Sequence, residues 1–158
     1  MTTWKIPPTI KIDEAVGCIA DERIIEVNNI VKVYSSSGNK YYSIEYDEKK
    51  NAIVSNDNGS YYVGYLGYPA IAYLMLNNTL SFNEEYAQAL KGIHWKDLNT
   101  KYNNDYFLVE EYIHKEHLEK YNINIAEFRM LVERILEEIK KLNIKKLPFP
   151  SSPPSKEY

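Results

Sequence analysis

The sequence predicts an α+β fold: an N-terminal helix, an antiparallel meander of about four strands, a core helix, and then a helical C-terminal half. Three observations predict this order. Short segments of alternating polar and apolar residues, separated by turn residues, occupy positions 23–55. The apolar run AIAYLML at positions 70–76 follows Pro69, and proline is favoured in the first turn of a helix. Beyond position 81, apolar residues recur at helical spacing.

The first helix is predicted at residues 10–21, behind Pro7 and Pro8, with Thr9 as its cap. Its apolar face consists of Ile12, Ala15, Val16, Ile19 and Ala20. Cys18 lies beside this face, and no basic neighbour is evident that would lower the pKa of its thiol. We therefore expect a buried core cysteine rather than a reactive one.

Four strands are predicted at residues 23–27, 30–35, 40–47 and 52–55. Between the first two, Asn28 and Asn29 tolerate the positive φ angles of a tight hairpin turn. Polar and apolar residues alternate along the second and third strands, which indicates an antiparallel meander with one buried face.

The segment from Asn56 to Gly67 leads from the last strand into the core helix. It begins with turn residues and continues through a tyrosine-rich stretch. If this stretch is extended, the adjacent Tyr61 and Tyr62 point in opposite directions. We then expect one of them to pack in the core and the other to face solvent.

In the C-terminal half, Ser81 or Asn83 caps a predicted helix that runs to Lys91. A short helical turn is predicted at 94–101, and two further helices at 105–121 and 124–142. The last helix carries an apolar stripe formed by Phe128, Leu131, Val132, Ile135, Leu136, Ile139 and Leu142. Either the rest of the chain covers this stripe, with the helix at 105–121 as the nearest partner, or the same helix of a second chain does. The alternatives are a monomer and a homodimer through Asn124–Leu142.

The domain organisation follows from these elements. Residues 1–80 form an α+β module, residues 81–142 a helical extension packed on it, and residues 143–158 a flexible tail rich in proline and lysine. We expect no regular structure in that tail, since Pro148, Pro150, Pro153 and Pro154 interrupt it.

Composition excludes several classes of protein. The chain has 158 residues, a net charge of −3 and one cysteine, so it forms no intrachain disulfide and no multi-thiolate zinc site. No apolar run approaches the roughly 20 residues of a membrane span, and no signal-peptide pattern is present, so we expect a cytoplasmic protein. Gln88 is the only glutamine, a scarcity that hints at a thermophile, whereas abundant asparagine argues against one.

Few residues suggest chemistry. Glu111, His114 and His117 have helical spacing for metal ligands, but a di-metal bundle needs further Glu-x-x-His helices and the sequence has none. We expect these residues to form a solvated face, and we expect no metal and no cofactor. Ser35 to Gly38 reads as a hairpin turn, and the acids at 45–48 as solvated turn residues. No catalytic residue can be singled out.

The tyrosines are the unusual feature. Nine of the fifteen lie between positions 34 and 73, and a sheet cannot bury both members of adjacent pairs. Exposed tyrosines favour binding surfaces, where they stack on bases or contact protein. The candidate binding residues are Tyr41, Tyr61, Tyr62, Tyr65, Tyr68, Gly64 and Gly67.

The order of elements between residues 24 and 76 resembles the ββα arrangement of SWIM-type zinc fingers: a polar-tipped hairpin, a short polar loop and a small apolar helix. In that family a Cys-x-Cys follows the second strand and a Cys-x-His opens the helix. The matching positions here are Ser55-Asn56-Asp57 and Gly67-Tyr68-Pro69, which contain no zinc ligand. The resemblance implies a metal-free module that binds DNA or protein.

We therefore expect non-catalytic binding of nucleic acid or another protein through the tyrosine-rich sheet and the Gly64–Gly67 loop. One alternative is a small metal-dependent or hydrolytic enzyme whose carboxylates the sequence does not reveal. Another is a structural homo-oligomer. Convergent acidic or histidine side chains in a pocket would favour the enzyme, whereas a flat aromatic surface would favour binding.

Overall fold

The computed structural model describes residues 1–149 and has the predicted α+β architecture. The strands are β1 (Ile24–Val27), β2 (Ile30–Tyr34), β3 (Tyr41–Asp47), β4 (Ala52–Ser55) and β5 (Lys145–Lys146). The α-helices are α1 (Ile10–Ala20), α2 (Tyr68–Leu76), α3 (Glu84–Ala89), α4 (Trp95–Lys101), α5 (Tyr106–Ile113) and α6 (Ile125–Leu142). Shorter helical turns are the π-helical segments Gly59–Val63 and His114–Leu118 and the 3-10 segment Glu119–Tyr121.

Within the described residues the sheet has five strands in the order β1-β2-β3-β4-β5. The first four form the predicted antiparallel meander. Asn28 and Asn29 both have positive φ, as the hairpin between β1 and β2 requires. The register pairs Val31 with Ile44, and both side chains are buried. One face of the sheet thus packs on the core, as the alternation predicts.

The fifth strand corrects the prediction of an irregular tail from residue 143. β5 pairs in parallel with β4, and the Leu147 N–H donates to the Ile53 carbonyl at 3.1 Å. The side chain of Ile144 is buried. This strand has only two residues and is held by main-chain hydrogen bonds, so no periodicity of its side chains could predict it. The remainder of the predicted tail, residues 150–158, lies outside the described residues.

The core helix α2 lies against α1 and against β3 and β4. Its residues Ile71, Leu74 and Met75 are almost fully buried, which confirms the helix predicted behind Pro69. The N-terminal helix α1 also contacts α3 and α6. α2 thus lies on the inner face of the sheet, and the other helices join it through α1 in one continuous core.

The apolar stripe of α6 is covered by the chain itself. Phe128, Val132, Ile135 and Ile139 are buried. The ring of Phe128 stands edge-on to Tyr86 of α3, with centroids 5.4 Å apart. α6 lies against α1, so the nearest partner in sequence, α5, is not its main support.

No helix among residues 1–149 combines the length and the apolar character needed to cross a bilayer. The most apolar helix, α2, has only nine residues, from Tyr68 to Leu76. It is buried against protein along most of its length.

Candidate functional site

A cleft with a volume of about 390 Å³ opens between the sheet, the π-helical turn Gly59–Val63, and helices α1 and α4. Its walls are unusually aromatic. The aromatic lining residues are Tyr42, Tyr62, Tyr65, Tyr68, Trp95 and Tyr106. The charged lining residues are Lys11, Glu14, Lys40, Asp57 and Lys96. Rings and charges therefore share one concave surface of the size that small ligands occupy.

The floor of the cleft contains an ion pair between neighbouring turns of α1. Lys11 Nζ donates to Glu14 Oε1 at 2.9 Å, and Asn99 Nδ2 donates to the same oxygen at 3.0 Å. Burial by itself would lower the pKa of Lys11, but the charge and hydrogen bond of Glu14, together with the nearby Tyr65 and Tyr106, raise it on balance. Lys11 therefore stays charged, and Glu14 is fixed from two sides.

The second oxygen of Glu14, Oε2, accepts no hydrogen bond from the described residues. Asn99 Oδ1 is buried and likewise has no donor in this part of the chain. Asn99 Oδ1 is thus a buried acceptor without a donor among the described residues, although buried polar groups are normally paired.

Aromatic rings surround this floor. Lys11 Nζ lies 5.2 Å from the centroid of the Tyr106 ring, a cation–π contact. Burial raises the pKa of Tyr65 to about 12, although nearby Lys11 opposes the shift. Tyr65 therefore keeps its hydroxyl proton at neutral pH and can donate a hydrogen bond, but it cannot act as a base.

Asp57 organises the turn that forms one wall. The hydroxyls of Ser55 and Ser60 both donate to Asp57 Oδ1 at 2.7 Å, and the Ser60 N–H donates to Oδ2 at 3.2 Å. The Gly67 N–H donates in turn to Ser60 Oγ at 3.1 Å. Burial raises the pKa of Asp57, and the hydrogen bonds from the two serines oppose that shift. Asp57 is a buried, fully bonded structural carboxylate.

This network corrects the prediction of an extended segment at Tyr61 and Tyr62. The Tyr61 N–H donates to the Asp57 carbonyl at 2.8 Å, and the Gly64 N–H donates to the Gly59 carbonyl at 2.9 Å, so the chain turns. Both tyrosines are exposed, Tyr61 by 36% and Tyr62 by 65%. The expected division into one buried and one exposed ring is wrong, because hydrogen bonds to Asp57 favour a helical turn over a strand.

Two further lysines, Lys40 and Lys96, line the cleft. Burial, and then the charge of nearby Lys96, lower the pKa of Lys40. Neither lysine forms an ion pair with a carboxylate among the described residues. The Lys96 N–H donates to Ser36 Oγ at 3.1 Å, which joins α4 to the β2–β3 turn. An anion between these ammonium groups would relieve their repulsion.

Three of the sequence-predicted binding residues line the cleft: Tyr62, Tyr65 and Tyr68. Tyr68 is half-buried, its ring edge-on to Tyr42 with centroids 6.4 Å apart. The hydroxyl of Tyr68 lies 3.4 Å from Arg23 Nη1. These tyrosines form a wall of the cleft rather than the flat aromatic surface expected on the sheet.

The other predicted residues lie elsewhere or have structural roles. Tyr41 is outside the cleft, on the outer face of the sheet, beneath the ammonium of Lys32. Tyr61 packs against Phe149, with ring centroids 5.1 Å apart. Gly64 has φ +93° and closes the turn, where only glycine is unstrained. Gly67 is buried beside Asp57, and a Cβ there would overlap the carboxylate.

Sequence reasoning missed the polar half of the cleft. Lys11, Glu14, Lys40, Lys96 and Asn99 are all lining residues that the tyrosine pattern does not indicate. One signal existed, since Lys11, Asp13 and Glu14 place three charges in the first half of a largely apolar helix. The remaining contributions come from segments far apart in sequence, which only the fold brings together.

The histidines of the predicted solvated face lie partly inside the protein. His114 Nε2 is 3.8 Å from Glu110 Oε1, and His117 Nδ1 is 3.3 Å from the Ala89 carbonyl. Burial lowers the pKa of both imidazoles. Among residues 1–149, no three His, Cys, Asp or Glu side chains converge as a metal site would require.

No curated protein and no solved structure matches the chain. A family model, described as that of the uncharacterised conserved protein UCP014422, matches residues 4–145. The match extends from the strand-like lead-in before α1 to β5 and includes every residue of the cleft. The chain therefore belongs to the UCP014422 family of uncharacterised conserved proteins.

Proposed function

We propose that this protein is a non-catalytic binding protein whose cleft takes one nucleotide unit, a flat base with its phosphate. The unit comes either from a free nucleotide or from a single-stranded nucleic acid. The observation that carries the proposal is the combination of an aromatic-walled cleft with two lysines, Lys40 and Lys96, that lack acidic partners among the described residues.

The chemistry of the cleft matches the two halves of a nucleotide. Bases stack on aromatic side chains, with a gain of about 1–3 kcal/mol per base. Tyr62 is 65% exposed in the cleft lining, edge-on to Tyr61 at 4.9 Å between centroids, and its exposed ring offers such a stack. Ammonium groups bind phosphate as point charges, and Lys40 and Lys96 supply two of them.

The electrostatics favour a local interaction over a long-range one. The whole chain has a net charge of −3, so it has no general attraction for nucleic acid. Three lysines line the cleft against two carboxylates, Glu14 and Asp57, and the carboxylate of Asp57 is occupied by serines. The cleft is thus a locally positive site on an acidic protein.

A hydrolytic enzyme remains the second candidate, because Glu14 and Asp57 line the same cleft. General acid–base catalysis needs a carboxylate that can reach a substrate proton. Asp57 receives hydrogen bonds on both oxygens, and Lys11 and Asn99 hold one oxygen of Glu14. Because these bonds occupy the carboxylates, the arrangement supports binding better than acid–base catalysis. An assay for nucleotide hydrolysis distinguishes a binding protein from a hydrolytic enzyme.

Fluorescence titration tests the proposal, since Trp95 lies in the cleft wall and serves as a natural reporter. Purified protein is titrated with nucleoside monophosphates and, separately, with short single-stranded oligonucleotides at roughly 50 and 200 mM salt. Saturable binding that weakens with salt supports the proposal. Tighter binding of oligonucleotides than of monophosphates identifies single-stranded nucleic acid as the source.

The matched variants are Lys40→Ala combined with Lys96→Ala, and the control Lys49→Ala. Lys49 is exposed in the β3–β4 turn and outside the cleft. We expect the double variant to lose at least about tenfold in affinity, equivalent to about 1.4 kcal/mol, and the control to bind normally. Equal affinities of the double variant and the control, or no binding to either ligand class, would overturn the proposal.

A further inference from the structure

Phe149, the last described residue, lies beside the aromatic wall of the cleft. Its ring stands edge-on to Tyr61, with centroids 5.1 Å apart, and the ring of Tyr61 stands edge-on to Tyr62, with centroids 4.9 Å apart. These two distances place the ring centroids of Phe149 and Tyr62 within about 10 Å of each other. Because Tyr62 lines the cleft, the residues that follow Phe149 in the sequence continue from a point next to it.

The topology of the sheet also directs the chain towards the cleft. β5 pairs in parallel with β4, and β4 is followed by the π-helical turn Gly59–Val63, which contributes to the cleft wall. Since the two strands run in the same direction, the residues after β5 emerge at the same end of the sheet as that turn. Lys49 lies in the turn before β4, at the opposite end.

Exposed apolar surface connects Phe149 with the cleft. Tyr61, Tyr62 and Val63 are consecutive and are 36%, 65% and 56% exposed, and Phe149 is 37% exposed. Tyr62 and Val63 belong to the lining of the cleft. A contiguous group of exposed apolar side chains is typical of a contact surface, whereas single exposed ones are common everywhere.

We propose that residues 150–154 of the same chain, Pro-Ser-Ser-Pro-Pro, dock on this surface and occupy the aromatic part of the cleft when no ligand is bound. The consequence for ligand binding rests on the proposed function: the segment and a nucleotide base compete for the ring of Tyr62.

The sequence of the segment matches the chemistry of the cleft. Pro150 and Pro153 form a Pro-x-x-Pro pattern, and Pro154 follows directly. Segments with this pattern dock in grooves lined by aromatic side chains, because polyproline II conformation is favoured before binding and little entropy is lost. The lining of the cleft, with Tyr62 and Trp95 among its rings, is such a surface.

Reach and tethering favour the same chain over a second one. Polyproline II advances about 3.1 Å per residue, so five residues span about 15 Å, which exceeds the separation of Phe149 and Tyr62. A segment tethered this closely has an effective concentration on the order of millimolar at the cleft. Weak contacts are therefore sufficient for docking within the chain, whereas a second copy must bind from dilute solution.

A spin label on the segment tests the docking. Ser155→Cys carries a nitroxide in the whole, isotope-labelled chain, and wild-type protein treated in the same way controls for labelling of the buried Cys18. We expect the amide NMR signals of Tyr62 and Tyr65 to broaden and that of Lys49, at the opposite end of β4, to stay sharp. Equal broadening at both ends, or none, would overturn the proposal.

Two substitutions locate the docking surface. Tyr62→Ala removes an exposed ring, and we expect it to abolish the broadening at Tyr65. Tyr121→Ala is the matched control, since its ring is 58% exposed and lies outside the cleft, and it should leave the broadening unchanged. Broadening at Tyr65 that survives Tyr62→Ala would refute docking on this surface.

A mixed sample distinguishes the same chain from a second copy. Spin-labelled chains without isotope label are mixed with isotope-labelled chains that carry no nitroxide. We expect sharp signals for Tyr62 and Tyr65 in this mixture, because each segment docks on its own chain. Broadening in the mixture would assign the segment to the cleft of a second copy and overturn docking within the chain.

Nucleotide titration measures the competition. The triple variant Pro150→Ala, Pro153→Ala and Pro154→Ala should bind nucleoside monophosphates at least about threefold more tightly than the wild type, because a cleft occupied about two-thirds of the time binds threefold more weakly. Ser151→Ala, which keeps the prolines, should bind as the wild type does. Unchanged affinity of the triple variant would overturn the competition.

The two readouts separate the docking from the proposed function. If Tyr62 and Tyr65 broaden while no variant binds a nucleotide, the proposed function fails and the docking stands. If nucleotides bind while no signal in the cleft broadens, the docking fails and the proposed function stands.

Discussion

Arg129 of α6 lies across the buried carboxylate of Asp13 in α1, with Nη1 at 3.4 Å from Oδ1 and 3.3 Å from Oδ2. The Nη2 of the same guanidinium lies 3.4 Å from Glu110 Oε2, so one side chain joins α1, α5 and α6. Burial raises the pKa of Asp13 to about 7, although Arg129 opposes the shift. A buried charge that is only loosely bonded costs free energy, and protonation reduces that cost.

The stability of the protein should therefore depend on the protonation of Asp13. The pKa of Asp13 is 3.8 ordinarily and about 7 in the folded state. Between these two pH values the folded state therefore holds a proton that the unfolded state has lost. The contribution of Asp13 to stability is then fully present below a pH of about 4 and is lost as the pH rises towards 7. At about 1.4 kcal/mol per pKa unit, the loss reaches at most about 4 kcal/mol. Asp13→Asn should remove this slope.

Urea unfolding of both proteins between pH of about 4 and 8 measures the effect. The lowered pKa of His114 acts in the opposite direction, because stability rises with pH where the unfolded state binds the extra proton. His114 is present in both proteins, so the difference between them isolates Asp13. Parallel pH profiles would contradict the prediction.

Gly67 should not tolerate a side chain. Its φ of −77° suits any residue, but a Cβ would overlap the carboxylate of Asp57. We expect Gly67→Ala to lower the free energy of unfolding by about 1–3 kcal/mol through overpacking. Gly92→Ala is the control, since that position has positive φ but open space, and it should cost about 1 kcal/mol. A Gly67 variant as stable as the wild type would show that the hydrogen bonds around Asp57 rearrange at little cost in free energy.

A charge on the buried face of α6 should unfold the protein. Ile135 is 1% exposed, so Ile135→Glu buries an unpaired carboxylate, whereas Met130→Glu changes a residue that is 71% exposed. We expect the first variant to lose its cooperative thermal transition and the second to melt within a few degrees of the wild type. Light scattering accompanies the melts. A dimeric wild type together with a folded monomeric Ile135→Glu would instead assign this face to a homodimer.

Cys18 should be inert while the protein is folded. Burial raises the pKa of its thiol to about 12, and its side chain is fully enclosed. We expect Ellman's reagent to react with it only in denaturant. Rapid reaction of the native protein would mean that α1 separates from the core far more readily than its packing indicates.

The parts of the fold that local sequence determines could be predicted. Asn28 and Asn29 set the first hairpin through their own backbone preferences, and Pro69 marks the start of the core helix whatever surrounds it. The turn at Gly59–Val63 could not, because its cause is a side-chain network on Asp57. The resemblance of residues 24–76 to SWIM units stays a prediction.

The candidate site was predictable only in its aromatic half. Tyr62, Tyr65 and Tyr68 lie close together in sequence, so their clustering is visible in the chain. Glu14 and Asn99 meet through a hydrogen bond across 85 positions, and periodicity carries no information about such a pair. Long-range contacts of this kind follow from packing of the whole chain.

The pairing of β5 with β4 has a consequence for synthesis on the ribosome. Among the described residues, the main chain of the outer edge of β4 pairs with residues 145–147, and the Lys146 N–H also donates to the Thr2 carbonyl. A nascent chain that has emerged as far as α6 therefore exposes an unpaired strand edge between its earliest and its latest segments. Such an edge is a template for association with other chains. Pairing of β5 with this edge completes the sheet and brings both ends of the described chain together in one step.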